Sequence, residues 1–310
     1  MDLLFMEPYC KEVLWGGTKL HEKYGYKTDG DHTGEAWVVA ANAHGVSTVK
    51  DGPYKGKTLT ELWENHRELF GNIEGDVFPL LIKLIDARDN LSIQVHPDDE
   101  YARAHENGSK GKTECWYIVD CDEGADIVIG HNAASKEELT KMITDGKWDD
   151  LITVLPIHKG DFFFIPSGTV HAIRKGTLIL ETQQNSDVTY RLYDYGRLQN
   201  GKPRELHISQ SIDVIRCPQK NINTVKEPVI SNGNIEQELV SCDLFTVTKY
   251  KVNNNITINN PYPFLIVDIL EGEGKVDGVP VKPGDNFIAP YGYDSINLEG
   301  DMLFITSHID

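Results

Sequence analysis

The sequence predicts a mainly β protein: two small antiparallel β-barrels in series, with a few short helices inserted in the N-terminal part. Most of the 310 residues read as short strands parted by Gly, Asn and Asp turns, without the regular strand–helix alternation of a parallel sheet. The stretch Gly160-Asp161-Phe162-Phe163-Phe164-Ile165-Pro166-Ser167-Gly168 returns as Gly284-Asp285-Asn286-Phe287-Ile288-Ala289-Pro290-Tyr291-Gly292. Upstream of each copy, residues 116–124 and 264–272 share an apolar run, an acidic tail and a closing glycine. A two-part unit that recurs in this way reads as a duplicated barrel. His171 follows the first copy and has no counterpart after the second, so one barrel keeps a metal site that its twin lacks.

Taken in order, the first helix is expected over 59–70, where Leu59, Leu62, Trp63 and Phe70 mark an apolar face. Thr58 and Glu61 form a capping-box pair, and Gly71 supplies the stop. Strands follow at 78–85 and 91–95, then a short helix from Asp98 to about Asn107, ended by Gly108. Further strands are expected at 115–119 and 127–129, and a helix after Ser135 with Glu138 at its start and Leu139, Met142 and Ile143 inward. Strands at 162–165, 177–181 and 188–193 complete the first unit. Between 216 and 237 the chain turns polar and Asn-rich, interrupted by Pro218 and Pro228. The domain division is placed there: 1–220 holds the metal-binding unit with its helical excursions, and 221–310 a barrel without metal ligands.

Forty-eight acidic against thirty basic residues give a formal charge of −18, which repels nucleic-acid backbones and anionic membranes. An anionic metabolite would have to be met by a few local cations. Five cysteines, with no C-x-x-C pair, indicate neither a disulfide framework nor a zinc knuckle and fit a reducing cytoplasm. No secretory leader and no long uncharged apolar segment is recognised, so a soluble, cytoplasmic protein is expected. Phosphate-binding loops and the serine-nucleophile elbow are absent from the sequence.

The chemistry-bearing residues begin at Leu91-Ser92-Ile93-Gln94-Val95-His96, where strand alternation aims Ser92, Gln94 and His96 one way and Ile93 and Val95 the other. Three polar groups on one interior face of a barrel require something to bind them. In Gly111-Lys112-Thr113-Glu114-Cys115-Trp116, Lys112, Glu114 and Trp116 again share a face, and His171 enters a strand after the Pro-x-Gly turn. Gln94, His96, Glu114 and His171 together offer two imidazoles and two oxygens, a set that suits zinc or a similar divalent ion. Further on, Thr189, Arg191 and Tyr193 should share one strand face, opposite Val188, Tyr190 and Leu192. An inward Arg191 would hold a phosphate or an oxyanion bidentately; a salt bridge at the barrel rim is the competing reading. Tyr9, Trp15 and Trp37 either wall a sugar pocket or are plain core.

Four blocks in this order, Leu91 to Asp98, Gly111 to Glu114, Ile165 to Ala172 and Tyr190 to Arg197, resemble the type I phosphomannose isomerases in their short bacterial form, members of the cupin superfamily. The resemblance implies two cupin-type jelly-roll barrels, one zinc ion per chain on the residues matching Gln94, His96, Glu114 and His171, and a catalytic arginine at Arg191. It implies interconversion of mannose 6-phosphate and fructose 6-phosphate, which passes through an enediol and needs a base; Glu181 and Lys112 are the available candidates that are not metal ligands, and the sequence does not choose between them. Ser92, Lys112 and Arg197 are the candidates to meet the phosphate. Longer members of the family have His and Pro where Gly111 and Thr113 stand here, and Lys in place of Arg197. The expected partner is a small-molecule sugar phosphate, with neither nucleic acid nor membrane, and the chain a monomer or homodimer. The alternative is a metal cupin that is not an isomerase: an iron oxygenase or a sugar-binding regulatory module.

Overall fold

A computed structural model describes residues 2–28, 30–199, 201–220 and 222–310; residue 221, the expected start of the second unit, lies outside them. The N-terminal half is a sandwich of two antiparallel sheets. One runs, in spatial order, Phe162–Ile165, Glu114–Cys121, Thr177–Gln184, Leu80–Ala87, Tyr9–Gly17 and Thr33–Val39. The other runs Ile152–Pro156, Asp126–His131, His171–Ile173, Ile93–Val95 and Tyr190–Tyr193. Ile85, Trp116, Ile118 and Ile179 of the first meet Leu91, Ile127, Ile129 and Ile173 beside or on the second. Strand Leu80–Ala87 is buried along its whole length because its other face packs between the two halves of the chain. That is why it reads as a continuous apolar run rather than an alternating one.

The C-terminal half supplies eight strands of a ten-stranded sheet folded around Leu265, Val267, Ile269, Phe287, Leu298 and Phe304. Its long strands, Phe264–Val276 and Ser295–His308, pair with each other. Strand Leu4–Glu7 joins this sheet through Asn286–Pro290 and pairs in turn with Thr48–Val49, so the start of the chain is stitched into the C-terminal barrel. Tyr24, Tyr26, Val38, Trp63, Phe70 and Phe78 meet Phe264, Ile266 and Ile288 in a core common to both halves.

The sequence repeat is also a repeat of hydrogen bonds. Gly160 N–H donates to Ile118 O at 2.8 Å and Gly284 N–H to Ile269 O at 2.9 Å; in return Ile118 N–H donates to Asp161 O and Ile269 N–H to Asp285 O. Each aspartate closes its own turn, accepting from His158 N–H at 2.7 Å and from Lys282 N–H at 3.0 Å. These bonds match Ile118 with Ile269, three residues beyond the sequence parallel that sets Asp120 against Asp268. An odd offset reverses the faces of a strand. Leu265 therefore takes the place of Glu114, and, counted on from the Pro-x-Gly turn, Ser295 takes that of His171. Leu265 is buried in the apolar core of the second barrel, where Glu114 belongs to the polar cluster of the first.

Of the expected helices, that after Ser135 spans Lys136–Thr144, with Ser135 Oγ accepting from Glu138 N–H. That after Asp98 spans Asp99–His105 and ends where Asn107 and Gly108 take positive φ. The helix expected over 59–70 breaks in two: an α-helix Leu59–Asn65 with its Thr58/Glu61 capping box, then a 3-10 turn Arg67–Phe70. His66, at φ −137, parts them, and Gly71, at φ 67, supplies the stop. Three helices had no sequence signal, Lys19–Tyr24, Trp148–Leu151 and Ile208–Val214; they are short and none has a side-chain N-cap bond.

Candidate metal centre and active site

Strand pairing assembles the cluster. His171 lies opposite Gln94, and Gln94 opposite Arg191, across three neighbouring strands of the five-stranded sheet. Glu114 opens a strand of the facing sheet. The alternation read from the sequence holds here: Ile93 and Val95 enter an outer core while Ser92 and Gln94 line the cleft. His96, Glu114 and His171 are buried, and one ligand atom from each falls within 4.8 Å of the others. His96 Nδ1–H donates to Val188 O at 2.8 Å, and His171 Nδ1–H to Thr169 O at 2.9 Å. Both Nε2 atoms are thereby left as lone-pair acceptors, and they face each other at 3.1 Å. Glu114 Oε1, 3.3 Å from His171 Nε2, is buried with no hydrogen-bond donor among the described residues. Gln94 brings its amide to 3.3 Å from His171 Nε2, and a half-turn of that amide presents Oε1 instead. Lone pairs crowded this closely repel unless a cation lies between them, and two imidazoles with two oxygens match the donor preference of zinc.

Electrostatics favours the same state. Burial, reinforced by the nearby Lys112 ammonium, holds His96 well below the usual imidazole range and His171 down at about 4, so both rings are neutral ligands at pH 7. Burial raises the Glu114 carboxyl, and Glu181 adds to the effect. Behind the cluster lies a layer of paired charge. Lys112 Nζ donates to Glu114 and lies 3.1 Å from His96 Nε2 and 3.9 Å from Glu181. Glu181 accepts from Lys83 Nζ at 3.0 Å and from Trp116 Nε1 at 3.1 Å. Burial pushes the Glu181 carboxyl up, but Lys112 and Lys83 outweigh it and hold it below the usual range. Trp116 turns its edge to His171, their centroids 5.5 Å apart.

Beside this cluster opens a cleft of about 460 Å³, large enough for a small sugar derivative. Ser92, Gln94, Lys112, Glu181 and Arg191 line it, as do Trp15, Lys83 and Arg204. Arg197 does not. Its guanidinium turns to Asp194, donating at 2.5 Å, and to the Asn90 carbonyl, over the ring of Tyr195. Nor does Tyr193 share the face of Arg191 as alternation predicts. A bulge between Arg191 and Tyr193 sets Tyr193 opposite Ile93, and its ring stacks on Trp148 at 4.7 Å. Trp37 is core, its indole N–H donating to Glu35 and its face under Lys83.

The N-terminal region, residues 3–142, matches the family model of the phosphomannose isomerase type I catalytic domain, and residues 235–309 match that of the mannose-6-phosphate isomerase cupin domain. Mannose-6-phosphate isomerase ManA of Bacillus subtilis is 51% identical over 99% of this chain and 98% of its own. The mannose-6-phosphate isomerase of Streptococcus mutans is 46% identical over 98% of each chain. This chain belongs to the type I phosphomannose isomerases. The crystal structure of the Bacillus subtilis mannose 6-phosphate isomerase, 46% identical, superposes over the whole of both chains with a TM-score of 0.97. An apo-form Salmonella typhimurium mannose 6-phosphate isomerase, only 16% identical, shares the fold with a TM-score of 0.79.

Within this isomerase fold, two cleft residues escaped the sequence reading. Lys83 is the one basic residue in the apolar run Leu80-Leu81-Ile82-Lys83-Leu84-Ile85, and a charge at such a position is a signal in itself. Arg204 follows the hairpin of Leu198–Gln199 and Lys202–Pro203, which Asn200-Gly201 advertises as a tight turn.

Proposed function

We propose that this chain is a zinc-dependent aldose–ketose isomerase that interconverts mannose 6-phosphate and fructose 6-phosphate, working in the cytoplasm, with residues 1–220 as the catalytic unit and 221–310 as a barrel without metal ligands. The observation that carries the reading is the convergence of two unprotonated Nε2 atoms and an unpaired carboxylate oxygen beside a cleft lined by Lys112, Glu181 and Arg191. Gln94, His96, Glu114 and His171 would hold one zinc ion. When bound, it supplies Lewis-acid polarisation of the sugar's C1–C2 oxygens.

The protein's own groups supply the rest. Isomerisation moves one proton between C2 and C1 and passes charge onto the neighbouring oxygen. Arg191 presents a buried Nε–H that has no partner among the described residues, while its Nη1 is anchored on Glu205 O at 2.8 Å. A fixed donor of this kind suits an enediolate oxygen, because it needs no reorganisation as charge develops. Glu181 and Lys112 lie 3.9 Å apart and both line the cleft, so the carboxylate can lift the proton from one carbon while the ammonium delivers its own to the other, and the proton on Glu181 then returns to the Lys112 amine. Lys83 and Trp116 hold Glu181 in place. Ser92 lies at the cleft wall within reach of substrate hydroxyl or phosphate oxygens.

Among the described residues, no helix is long and apolar enough to cross a membrane. The Lys112–Glu181 pair favours proton transfer over the oxygenase chemistry that two histidines and a carboxylate also permit with iron. Chelator treatment should abolish turnover of mannose 6-phosphate, and zinc should restore it. His171→Ala should leave the protein folded with less than about a tenth of the wild-type zinc content. Turnover that survives complete metal removal would refute the zinc reading.

A further inference from the structure

Resting on that isomerase reading and going beyond it, we propose that Arg204, aimed by Asp194, is the cation that binds the substrate's phosphate, while Arg197 acts only through Asp194. Two guanidinium groups grip this aspartate. Asp194 is buried and accepts from Arg204 Nε at 2.7 Å and Arg204 Nη2 at 2.6 Å, a two-point grip that fixes the plane of that guanidinium. It also accepts from Arg197 Nη2 at 2.5 Å. Burial raises the Asp194 carboxyl, but Arg204 and Arg197 outweigh it and hold it below the usual range.

Arg197 turns its terminal nitrogens to protein acceptors, Nη2 to Asp194 and Nη1 to the Asn90 carbonyl, and its Nε is buried away from the cleft wall. Arg204 differs on both counts. It lines the cleft, and its Nη1 has no partner among the described residues. Arg191 lines the same cleft but sits across from Gln94, at the metal end. A sugar phosphate carries its phosphate at the far end from the reacting carbons, so one arginine cannot serve both.

Charge supports the division of labour. Elsewhere in the cleft, Lys83 and Lys112 are tied to Glu181 and Glu114. Arg197 cancels Asp194, which leaves the charge of Arg204 unspent. Arg204 and Arg191 are the two guanidinium groups of the cleft wall, set against a phosphate monoester that carries about −1.5 to −2 at neutral pH. In a chain of net charge −18, whose cleft wall also carries Glu12, Glu35 and Asp187, an anionic substrate depends on such local cations.

The test measures inorganic phosphate binding by calorimetry on the zinc-loaded protein, alongside isomerase kinetics. Arg204→Gln should weaken phosphate binding and raise KM for mannose 6-phosphate by about tenfold or more, with a smaller loss in kcat and unchanged zinc content. Arg197→Gln should raise KM less, because the Asp194 grip on Arg204 remains. Wild-type phosphate affinity and KM in Arg204→Gln would overturn the assignment. Should that variant fail to fold, Arg204→Lys keeps the charge without the two-point grip: a raised KM supports the proposal, and an unchanged KM overturns it. Loss of phosphate binding in Arg204→Gln when the wild type shows no isomerase turnover would sink the isomerase reading and leave the anion site standing. Normal turnover with an unaltered KM does the reverse.

Discussion

Lys83 and Glu181 stand directly opposite each other on adjacent antiparallel strands, both buried. Glu35 and Glu181 raise the Lys83 ammonium pKa against the opposing effect of burial. Removing the amine leaves Glu181 with Trp116 at 3.1 Å and the more distant Lys112 at 3.9 Å. Breaking one partner out of a buried pair costs about 3–5 kcal/mol when nothing relaxes. Lys83→Met should therefore lower kcat by about ten- to a hundredfold, as Glu181 loses its fixed position. Zinc content, which depends on residues it does not touch, should stay at the wild-type level; metal analysis beside steady-state kinetics checks both. At this scale the sequence was informative where one strand carries the evidence. Ser92, Gln94 and His96 could be placed on one face by alternation alone, whereas the partner of Lys83 lies 98 residues away and only strand register reveals it. The surroundings of Arg197 were hidden for the same reason: its position in the chain says nothing of Asn90, which takes one of its donors.

Between the residue and the barrel, the turn Pro166-Ser167-Gly168 decides where His171 goes. Gly168 has φ +81, and a Cβ there would lie 2.7 Å from both Arg216 Cγ and Val214 O. Its N–H donates to His96 O at 2.8 Å, while its own carbonyl accepts from Arg216 N–H at 2.9 Å. One glycine thus ties the backbone of one candidate ligand to the strand entry of another. Gly168→Ala must shift the 214–216 segment or give up the turn, and we expect it to cost on the order of 1–3 kcal/mol and to weaken zinc retention. Chemical denaturation and zinc release measured together decide this; a wild-type midpoint would show that the turn tolerates a side chain. The Pro-x-Gly signature was legible because turn chemistry is local. The bulge after Arg191 was not, because it arises from pairing with Ile93–Val95 and no residue in 190–193 announces it. The split at His66 was hidden likewise beneath an apolar pattern that continues through it.

Across the whole molecule, the two barrels meet over a largely apolar core that also holds a buried carboxylate. Asp268 shares its strand face with Ile266 and Leu270, both in that common core, and is fully buried, with no partner for either carboxylate oxygen among the described residues. Asn286 sits opposite it across the sheet; its amide N–H groups donate to Tyr26 Oη and Gly284 O, while its own Oδ1 lacks a donor. A protonated Asp268 has the hydrogen that Asn286 Oδ1 is missing. Burial raises the Asp268 pKa from 3.8 to about 8, so over that interval the folded chain holds a proton that the unfolded chain releases. The sign follows: the unfolded state gains by ionising, and stability is full below about pH 4 and declines as pH rises toward about 8. A shift of this size is worth at most about 6 kcal/mol. Sequence pattern marked the Asp but matched it to Asp120, a half-exposed residue paired with Lys23, and so missed that the three-residue offset turns it inward. Asp268→Asn keeps the shape, supplies its own N–H to Asn286 and has no proton to lose. Denaturant unfolding of both proteins from pH 4 to pH 8.5 should show curves that converge at the acid end, with the variant more stable by on the order of 1–3 kcal/mol at the basic end. Parallel curves would mean that Asp268 ionises in the folded chain as it does in the unfolded one, and that the seam between the barrels tolerates a bare carboxylate.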